Sequence, residues 1–212
     1  MLDWDHNAFY HRLLLRQLPP HSRRVLDIGC GAGAFAARLA GHVDRVDALD
    51  RSPAMIEVAS QRTTDNVTWM LGDVMTHPLP ENSYDAIFSI SALHHMDLTT
   101  ALPRFAELLR PGGVLAAVAL PRKDLRAELP AEIVAALGHR LLGAVFLFAR
   151  AVGHGDWFAK DSTHSMMPVV LAPELTTREV AGRAAAILVD ARVRRLIFWR
   201  YLLFWKKPVL QS

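Results

Sequence analysis

The sequence predicts an α/β protein built on a doubly wound parallel β-sheet, and three observations support this class. Across residues 24–120, strand and helix alternate five times, the pattern of consecutive β-α-β units. The segment YDAIFSIS is almost continuously apolar, as in strands buried on both faces of a sheet. The stretch VLDIGCGAGAFAARLA passes from an apolar strand through three alternating glycines into an alanine-rich helix. Ligands of such sheets bind at the carboxyl ends of the strands, so candidate functional residues are sought there.

Length and composition indicate a single domain over residues 1–212. The chain is 51% hydrophobic, which is enough for a sizeable core. Its one cysteine, Cys30, cannot form an internal disulfide, which favours a cytoplasmic location. The N-terminus lacks the basic start and apolar core of an export signal. The most apolar run, residues 141–152, contains Arg150 and is well short of the ~20 residues that span a bilayer, so we expect no membrane insertion.

Charge and histidine content argue against two classes of partner. The 24 basic and 21 acidic residues give a net charge of +3 and are scattered along the chain, which is typical of a solvated surface. We therefore expect no nucleic-acid partner. The ten histidines include no H-x-x-x-H pair, and with a single cysteine this predicts no metal site.

Turn and cap signals divide the first half of the chain into helices and strands. A Pro-Pro pair ends a first amphipathic helix, predicted over Leu2–Leu18 within an N-terminal segment of residues 1–22. Ser52 as N-cap and Pro53 at the first helical position open another helix. The other predicted helices cover Gly33–Ala40 and Leu98–Arg110, and the predicted strands cover Arg24–Ile28, Arg45–Asp50, Asn66–Asp73, Tyr84–Ser91 and Gly113–Leu120.

The second half of the chain has a different pattern. Residues 121–172 form a predicted helical insertion, and its apolar segment GAVFLFARAVGHGDWF is either the core of a lid or an apolar wall facing a greasy substrate. A helix is predicted over Thr177–Leu188. The aromatic and β-branched stretch Ala191–Pro208 is too long for one typical strand, so it predicts a hairpin that turns near Trp199–Tyr201.

The glycine-rich turn and the acid before it indicate the charge of the ligand. Glycines at positions 29, 31 and 33 allow the backbone to approach a ligand closely, and free N–H groups at the helix start are expected to face it. A dinucleotide pyrophosphate favours G-x-G-x-x-G, whereas this spacing is G-x-G-x-G and Asp27 precedes it. A carboxylate there repels a pyrophosphate and attracts an ammonium group.

Acidic residues also end the next two strands. Asp50 ends the second strand, where a carboxylate suits a grip on ribose hydroxyls. Asp73 ends the third strand within LGDV, where it can accept a hydrogen bond from an exocyclic amine such as that of adenine. The three acids together predict an adenosine that carries an amino acid and no phosphate.

This set of motifs resembles the class I S-adenosylmethionine-dependent methyltransferases, in particular their small-molecule branch (type 11/25-like). The matching segments VLDIGCGAG, VDALDRSPAMI, LGDV, YDAIFSISALHHM and LLRPGGVLAAV follow the family's order and spacing. The resemblance implies a seven-stranded Rossmann-like sheet in the order 3-2-1-4-5-7-6, with strand seven antiparallel and the insertion between strands five and six. It also implies S-adenosylmethionine as cofactor, S-adenosylhomocysteine as its product, and a small-molecule acceptor typical of secondary metabolism.

The resemblance also implies roles for individual residues around the cofactor. The methionine portion is expected beside the strand ends, the ribose and adenine lie along the acidic positions, and the first helix covers the cofactor. In this assignment the methionine portion is held by Asp27, Gly29, Gly31 and Gly33 and lies beside Ser89 and Ile90. The ribose is held by Asp50, and the adenine is contacted by Arg51, Met55, Asp73 and Val74. Tyr10 lies on the covering helix.

The acceptor side offers two candidate catalytic residues, His94 and His95. Imidazole titrates near neutral pH and can remove a proton from a hydroxyl acceptor, and of the two we favour His94 as the one that faces the site. Alternatively, the pair only caps the strand or contacts the cofactor. The segment SISALHH differs from the Asn- or Asp-Pro-Pro-aromatic motif of many base and amide methylases, so we predict transfer to oxygen of an apolar or aromatic metabolite. The alternatives are non-methylating chemistry with the same cofactor, or a degenerate binding protein.

Overall fold

A computed structural model describes residues 5–62, 64–122, 140, 141, 145 and 173–209 of the chain. Seven strands in this part of the chain form one sheet. They are β1 (Arg24–Ile28), β2 (Arg45–Asp50), β3 (Val67–Leu71), β4 (Tyr84–Ile90), β5 (Leu109–Ala119), β6 (Arg192–Leu196) and β7 (Arg200–Lys206).

The strand order is β3-β2-β1-β4-β5-β7-β6, which confirms the predicted topology. Strands β1 to β5 run parallel to one another, while β7 is antiparallel to both β5 and β6. Strands β2 and β4 pair with opposite edges of β1, so the order in which successive strands are added to the sheet reverses at β1. This is the switch point at which a doubly wound sheet opens a crevice for ligands.

Helices cover both faces of the sheet. Each face has its own core, because successive strand residues point to opposite sides: Phe88 of β4 packs on one side and Ile87 on the other. The helices α1 (His6–Leu15), α2 (Ala34–Ala40) and α3 (Pro53–Ser60) pack on the Phe88 side, and α4 (Leu98–Leu108) and α5 (Thr177–Ile187) pack on the Ile87 side.

Local caps explain where several helices begin. Asp5 accepts hydrogen bonds from the N–H groups of Asn7 and Ala8 and opens α1. Ser52 caps α3 as the sequence predicts, and Pro53 stands at its first position. Thr176 and Glu179 form a reciprocal capping box at the start of α5.

Several element boundaries differ from the prediction, for example in α1, which covers His6–Leu15, and in β3, which covers Val67–Leu71; two further differences concern β5 and the hairpin. Strand β5 begins at Leu109, four residues before the predicted Gly113, so the RPGG segment belongs to the strand. A register irregularity opposite Tyr84–Ala86 and a positive φ of 80° at Gly112 accommodate this segment. The hairpin turns at residues 197–199, slightly before the predicted place near Trp199–Tyr201, and Phe198 and Trp199 adopt positive φ values of 57° and 58° in this turn.

The predicted insertion of residues 121–172 lies almost entirely outside the described residues. The two interpretations of its apolar segment therefore stay predictions. No helix in the described part of the chain is long and apolar enough to cross a membrane.

Candidate active site

A cavity of about 570 Å³ opens at the carboxyl ends of the central strands. This volume is in the range of small-molecule and cofactor sites. The turns that follow β1, β2, β3 and β4 line it, and the first turns of α1 close one side. Of the predicted site residues, the lining includes Asp27, Gly29, Gly31, Asp50, Arg51, Met55, Asp73, Val74, Ile90 and His95.

The glycine-rich turn after β1 is held by its own hydrogen bonds. The N–H groups of Gly29 and Cys30 donate to the carbonyl of Leu49 at 2.8 and 3.1 Å. The N–H of Gly31 donates to Asp50 Oδ2 at 2.8 Å. These three donors precede the helix start, where free N–H groups are expected to face the ligand, and they serve to hold the turn against β2. The turn therefore offers the ligand a preformed backbone surface and not three free donors.

Gly29 and Gly33 are required by close packing inside the protein. Gly29 has a φ of 71°, and a Cβ on it would collide with Cβ of Ala92, in the segment after β4. Gly33 has a φ of 78°, and a Cβ there would lie 2.5 Å from the ring of Trp69. Gly33 does not line the cavity, because it starts α2 against β3. Both positions need glycine for the shape of the site.

Asp27 provides a buried carboxylate with a free oxygen at the cavity. Its side chain is 1% exposed, and Oδ2 has no hydrogen-bond partner among the described residues. Burial, assisted by the nearby charge of Asp50, raises the pKa of Asp27 to about 7. A buried carboxylate in this state is stabilised by a ligand that brings a positive charge, so the site fits an ammonium group.

Asp50 is oriented by two backbone donors. Its Oδ2 accepts from the N–H of Gly31, and its Oδ1 accepts from the N–H of Ser52 at 2.8 Å. Each carboxylate oxygen has a second lone pair, so both can still accept from a ligand hydroxyl. The two turns after β1 and β2 therefore fix the carboxylate in one orientation at the cavity wall.

The turn after β3 completes this side of the cavity. Asp73 Oδ1 accepts from the N–H of Met75 at 3.0 Å, and its Oδ2 lies 3.4 Å from Nη1 of Arg51. Met55 and Val74 are buried and supply apolar walls between the charged groups. An apolar slot with a carboxylate at its rim suits a flat heterocycle that carries an amine.

Ser89 and Tyr10 are occupied elsewhere. The hydroxyl of Ser89 is buried and donates to the carbonyl of Ile28 at 3.0 Å, so it joins β4 to β1. The hydroxyl of Tyr10 donates to the carbonyl of Ile197 and ties α1 to the hairpin turn. Neither residue lines the cavity, and each hydroxyl is used in a hydrogen bond within the protein.

Only one of the two adjacent histidines lines the cavity. They lie on a short 3₁₀ turn, Leu93–His95, that follows β4, with ring centroids 4.1 Å apart. His95 lines the cavity, and burial and the charge of Arg51 lower its pKa. His94 does not line it, and burial together with the charges of His95 and Arg200 lowers its pKa to about 3. The expectation that His94 faces the cavity is therefore not supported, and His95 occupies that position.

Several polar residues outside the predicted site also line the cavity, and three of them are Asn7, His11 and Ser91. Asn7 and His11 stand four residues apart on one face of α1, a spacing that could have identified them. Ser91 donates to Oδ1 of Asn7 at 2.8 Å and thereby joins α1 to the end of β4. His11 is buried, its Nδ1 has no partner in the described structure, and burial lowers its pKa to about 4.

Comparison with known proteins identifies the family. The methyltransferase-domain family matches residues 25–113. An uncharacterized methyltransferase of Mycobacterium tuberculosis strain H37Rv is 34% identical over 211 residues, which cover 97% of this chain and 98% of the relative. The chain belongs to the class I S-adenosylmethionine-dependent methyltransferases. Its cofactor is accordingly S-adenosylmethionine, and the carboxylates of the cavity fit the cofactor's amino and hydroxyl groups.

Two further proteins resemble this methyltransferase. A malonyl-acyl-carrier-protein O-methyltransferase of Serratia marcescens is 39% identical over 93 residues, which cover 43% of this chain and 36% of the relative. The crystal structure of an S-adenosylmethionine-dependent methyltransferase from Aquifex aeolicus matches the fold with a TM-score of 0.60 at 17% identity, covering 92% of this chain and 88% of that chain.

The described residues contain no group of three or more histidine, cysteine or acidic side chains that could hold a metal ion.

Proposed function

We propose that this methyltransferase methylates an oxygen atom of a small, apolar or aromatic metabolite in the cytoplasm. S-adenosylmethionine supplies the methyl group on a positively charged sulfur. The chain's own residues bind the cofactor, orient the acceptor and manage the acceptor's proton. In this proposal Asp27 holds the amino group, Asp50 the ribose hydroxyls and Asp73 the adenine amine.

The observation that carries the choice of oxygen is the imidazole of His95 at the cavity. It follows β4, the neighbour of the strand that bears Asp27, so it stands where an acceptor must approach the cofactor. Its lowered pKa keeps it neutral at pH 7, with a lone pair available for a hydroxyl proton. An amine acceptor is expected to use a carboxamide or carboxylate at this place, and the segment after β4 carries neither before Asp97.

Relatives support the same choice. The Serratia marcescens protein is an O-methyltransferase by name, and its similarity extends over 93 residues of this chain. The buried, single Cys30 is consistent with a reducing compartment.

A labelling experiment tests the proposal. The protein is incubated with S-adenosylmethionine that carries a deuterated methyl group, together with matched acceptors such as 4-hydroxybenzoate and 4-aminobenzoate, or hexanoate and hexylamine. Mass spectrometry is expected to find the label on the oxygen-bearing acceptors only.

Other results would redirect the assignment. Label on the amines alone would replace oxygen by nitrogen. Conversion of an acceptor without label would indicate non-methylating chemistry, and tight binding of S-adenosylhomocysteine without turnover of any acceptor would indicate a degenerate binding protein.

A further inference from the structure

Strand β7 begins beside the strand ends that carry the site. Tyr201 is the register partner of Ala119, the last residue of β5, so Arg200 lies just beyond the carboxyl end of that strand. The N–H of Ser91, which follows β4, donates to the carbonyl of Val118 at 2.7 Å. Arg200 and the segment that carries the two histidines therefore share one edge of the sheet.

Arg200 points to the α1 face of the sheet. Alternate residues of β7 share a face, and Leu202 and Phe204 pack in the core beneath α1. The charges of Arg200 and Tyr10 act on each other, and Asp5 also lies within electrostatic range of the guanidinium. The side chain is thus enclosed between α1, the hairpin turn and the segment after β4.

The guanidinium of Arg200 is poorly satisfied within the described protein. Nη1 makes only long contacts with the carbonyls of Phe198 and Trp199, at 3.5 and 3.3 Å. Nε is buried and has no hydrogen-bond partner, and no described carboxylate forms an ion pair with this side chain. Arg200 is half-buried as a residue, and its guanidinium remains charged, so leaving the buried Nε–H unpaired is costly and such a group usually meets an anion.

His94, in the segment after β4, also carries a buried polar atom without a hydrogen-bond partner in the described structure. Its Nδ1 is buried without a partner in the described structure, and the charge of Arg200 acts on its ring. His95 lines the cofactor cavity, whereas His94 does not. Two incompletely satisfied polar side chains thus lie at one edge of the sheet, within electrostatic range of each other and outside the lining of the cofactor cavity.

We infer that Arg200 and His94 form a subsite for a carboxylate on the methyl acceptor. The free Nε–H of Arg200 and a nitrogen of His94 donate to the carboxylate oxygens, and the pair thereby selects acidic acceptors over neutral ones. This subsite deepens the function proposed above and depends on it for the identity of the acceptor. It needs no further group, because both donors belong to this chain.

Binding of a simple probe pair tests the subsite without turnover. The full chain is saturated with S-adenosylhomocysteine, and the affinities of benzoate and benzamide are measured by ligand-observed NMR. We expect benzoate to bind at least tenfold more tightly than benzamide. Arg200→Gln is expected to abolish this preference, Arg200→Lys to keep part of it, and the exposed control Arg192→Gln to retain it.

A second readout separates binding from a structural role. An anion held beside His94 raises the pKa of its imidazole, so benzoate is expected to shift the NMR titration of His94 upward in the wild type and not in Arg200→Gln. Thermal unfolding and S-adenosylhomocysteine affinity report whether each variant is folded.

The outcomes separate the two proposals. Equal affinities for the two probes, no measurable benzoate binding, or a preference that survives Arg200→Gln would each overturn the subsite. None of these results depends on methyl transfer, whereas the labelling experiment alone decides whether the methyl group goes to oxygen.

Discussion

A single buried carboxyl makes cofactor binding depend on pH. Asp27 has a pKa near 7 in the ligand-free protein, whereas the cofactor's amino group needs the ionised form. We expect the affinity for S-adenosylhomocysteine to rise roughly tenfold per pH unit as pH increases toward 7, and to level off above it. The neighbouring His11 stays neutral over this range because its pKa is about 4.

Calorimetry between pH 5.5 and 8 measures this dependence, and Asp27→Asn provides the control. The variant is expected to bind the cofactor product more weakly at pH 8 and to show a nearly flat dependence of affinity on pH.

The folded-state pKa of Asp27 lies above the ordinary value of 3.8, so the folded protein retains this proton to higher pH than the unfolded chain. The ligand-free wild type is therefore expected to lose stability as pH rises from about 4 to 7, and Asp27→Asn to lose less.

Asp50 shapes the site through two backbone donors, and in the proposed function it also contacts the ribose. Asp50→Ala removes the acceptor for two backbone donors and for the ribose hydroxyls, so cofactor binding is expected to weaken by about 1.5–3 kcal/mol. Titration with S-adenosylhomocysteine measures the change. Asp65→Ala, on an exposed loop residue, is the matched control and should leave the affinity unchanged. Equal affinities for both variants would mean that the ribose is held elsewhere.

Substitutions of the two histidines are expected to change different kinetic parameters. His95→Gln is expected to lower kcat at neutral pH by at least ~10²-fold while cofactor affinity changes only a few-fold, because a general base acts on the chemical step. His94→Gln is expected to raise KM for the acceptor more than it lowers kcat. Steady-state rates with the acceptor identified by labelling provide the comparison. The reverse ranking would restore the sequence-based preference for His94.

At the scale of elements, substitution of glycine by alanine is expected to stabilise the protein at one position and to destabilise it at another. Gly182 lies exposed in the middle of α5, and a Cβ there meets nothing within 4 Å. Gly182→Ala is expected to increase the free energy of unfolding by about 0.5–1 kcal/mol through helix propensity. Gly29→Ala is expected to decrease it, because of the positive φ and the collision of the new Cβ with Ala92.

Chemical denaturation measures both glycine variants, and binding of S-adenosylhomocysteine distinguishes them further. Gly182→Ala should bind normally, whereas Gly29→Ala should bind weakly because the turn after β1 must move. Normal binding by Gly29→Ala would show that the turn tolerates displacement.

At the scale of the whole molecule, stability and function depend on opposite ends of the strands. Near the amino ends, buried Asp47 accepts from Nη2 of Arg24 at 2.6 Å, from Nε of Arg45 at 2.9 Å and from the hydroxyl of Tyr84 at 2.8 Å. This carboxylate joins β1, β2 and β4. The cavity lies at the other ends of the same strands.

Asp47→Ala is therefore expected to destabilise the fold by about 3 kcal/mol, since it leaves two arginines without their shared anion. Cofactor affinity should stay unchanged at temperatures where the variant is folded. Urea denaturation and calorimetry provide the two values. The exposed pair Arg23–Asp44 gives the control, because Asp44→Ala should have little effect on stability. A loss of affinity in Asp47→Ala would show that the two ends are coupled.

Local patterns in the sequence determined the elements and the edge of the sheet that carries the site. Alternating apolar residues, the Ser52 cap and the glycine-rich turn depend on neighbours within a few positions, so they can be recognised along the chain. Because parallel strands present their carboxyl ends at one edge, the sequence alone assigns Asp27, Asp50 and Asp73 to one cavity.

Only the tertiary structure decided which polar atoms are free and which are used inside the protein. Asp50 holds Gly31 across two turns, Ser89 bonds to Ile28, and Tyr10 bonds to a carbonyl 187 residues away. The pKa values of His94 and His95 are lowered in the same way by the charges of Arg200 and Arg51, which are distant from the histidines along the chain. These partners are set by how distant segments pack, and the spacing of residues along the chain carries no record of that packing.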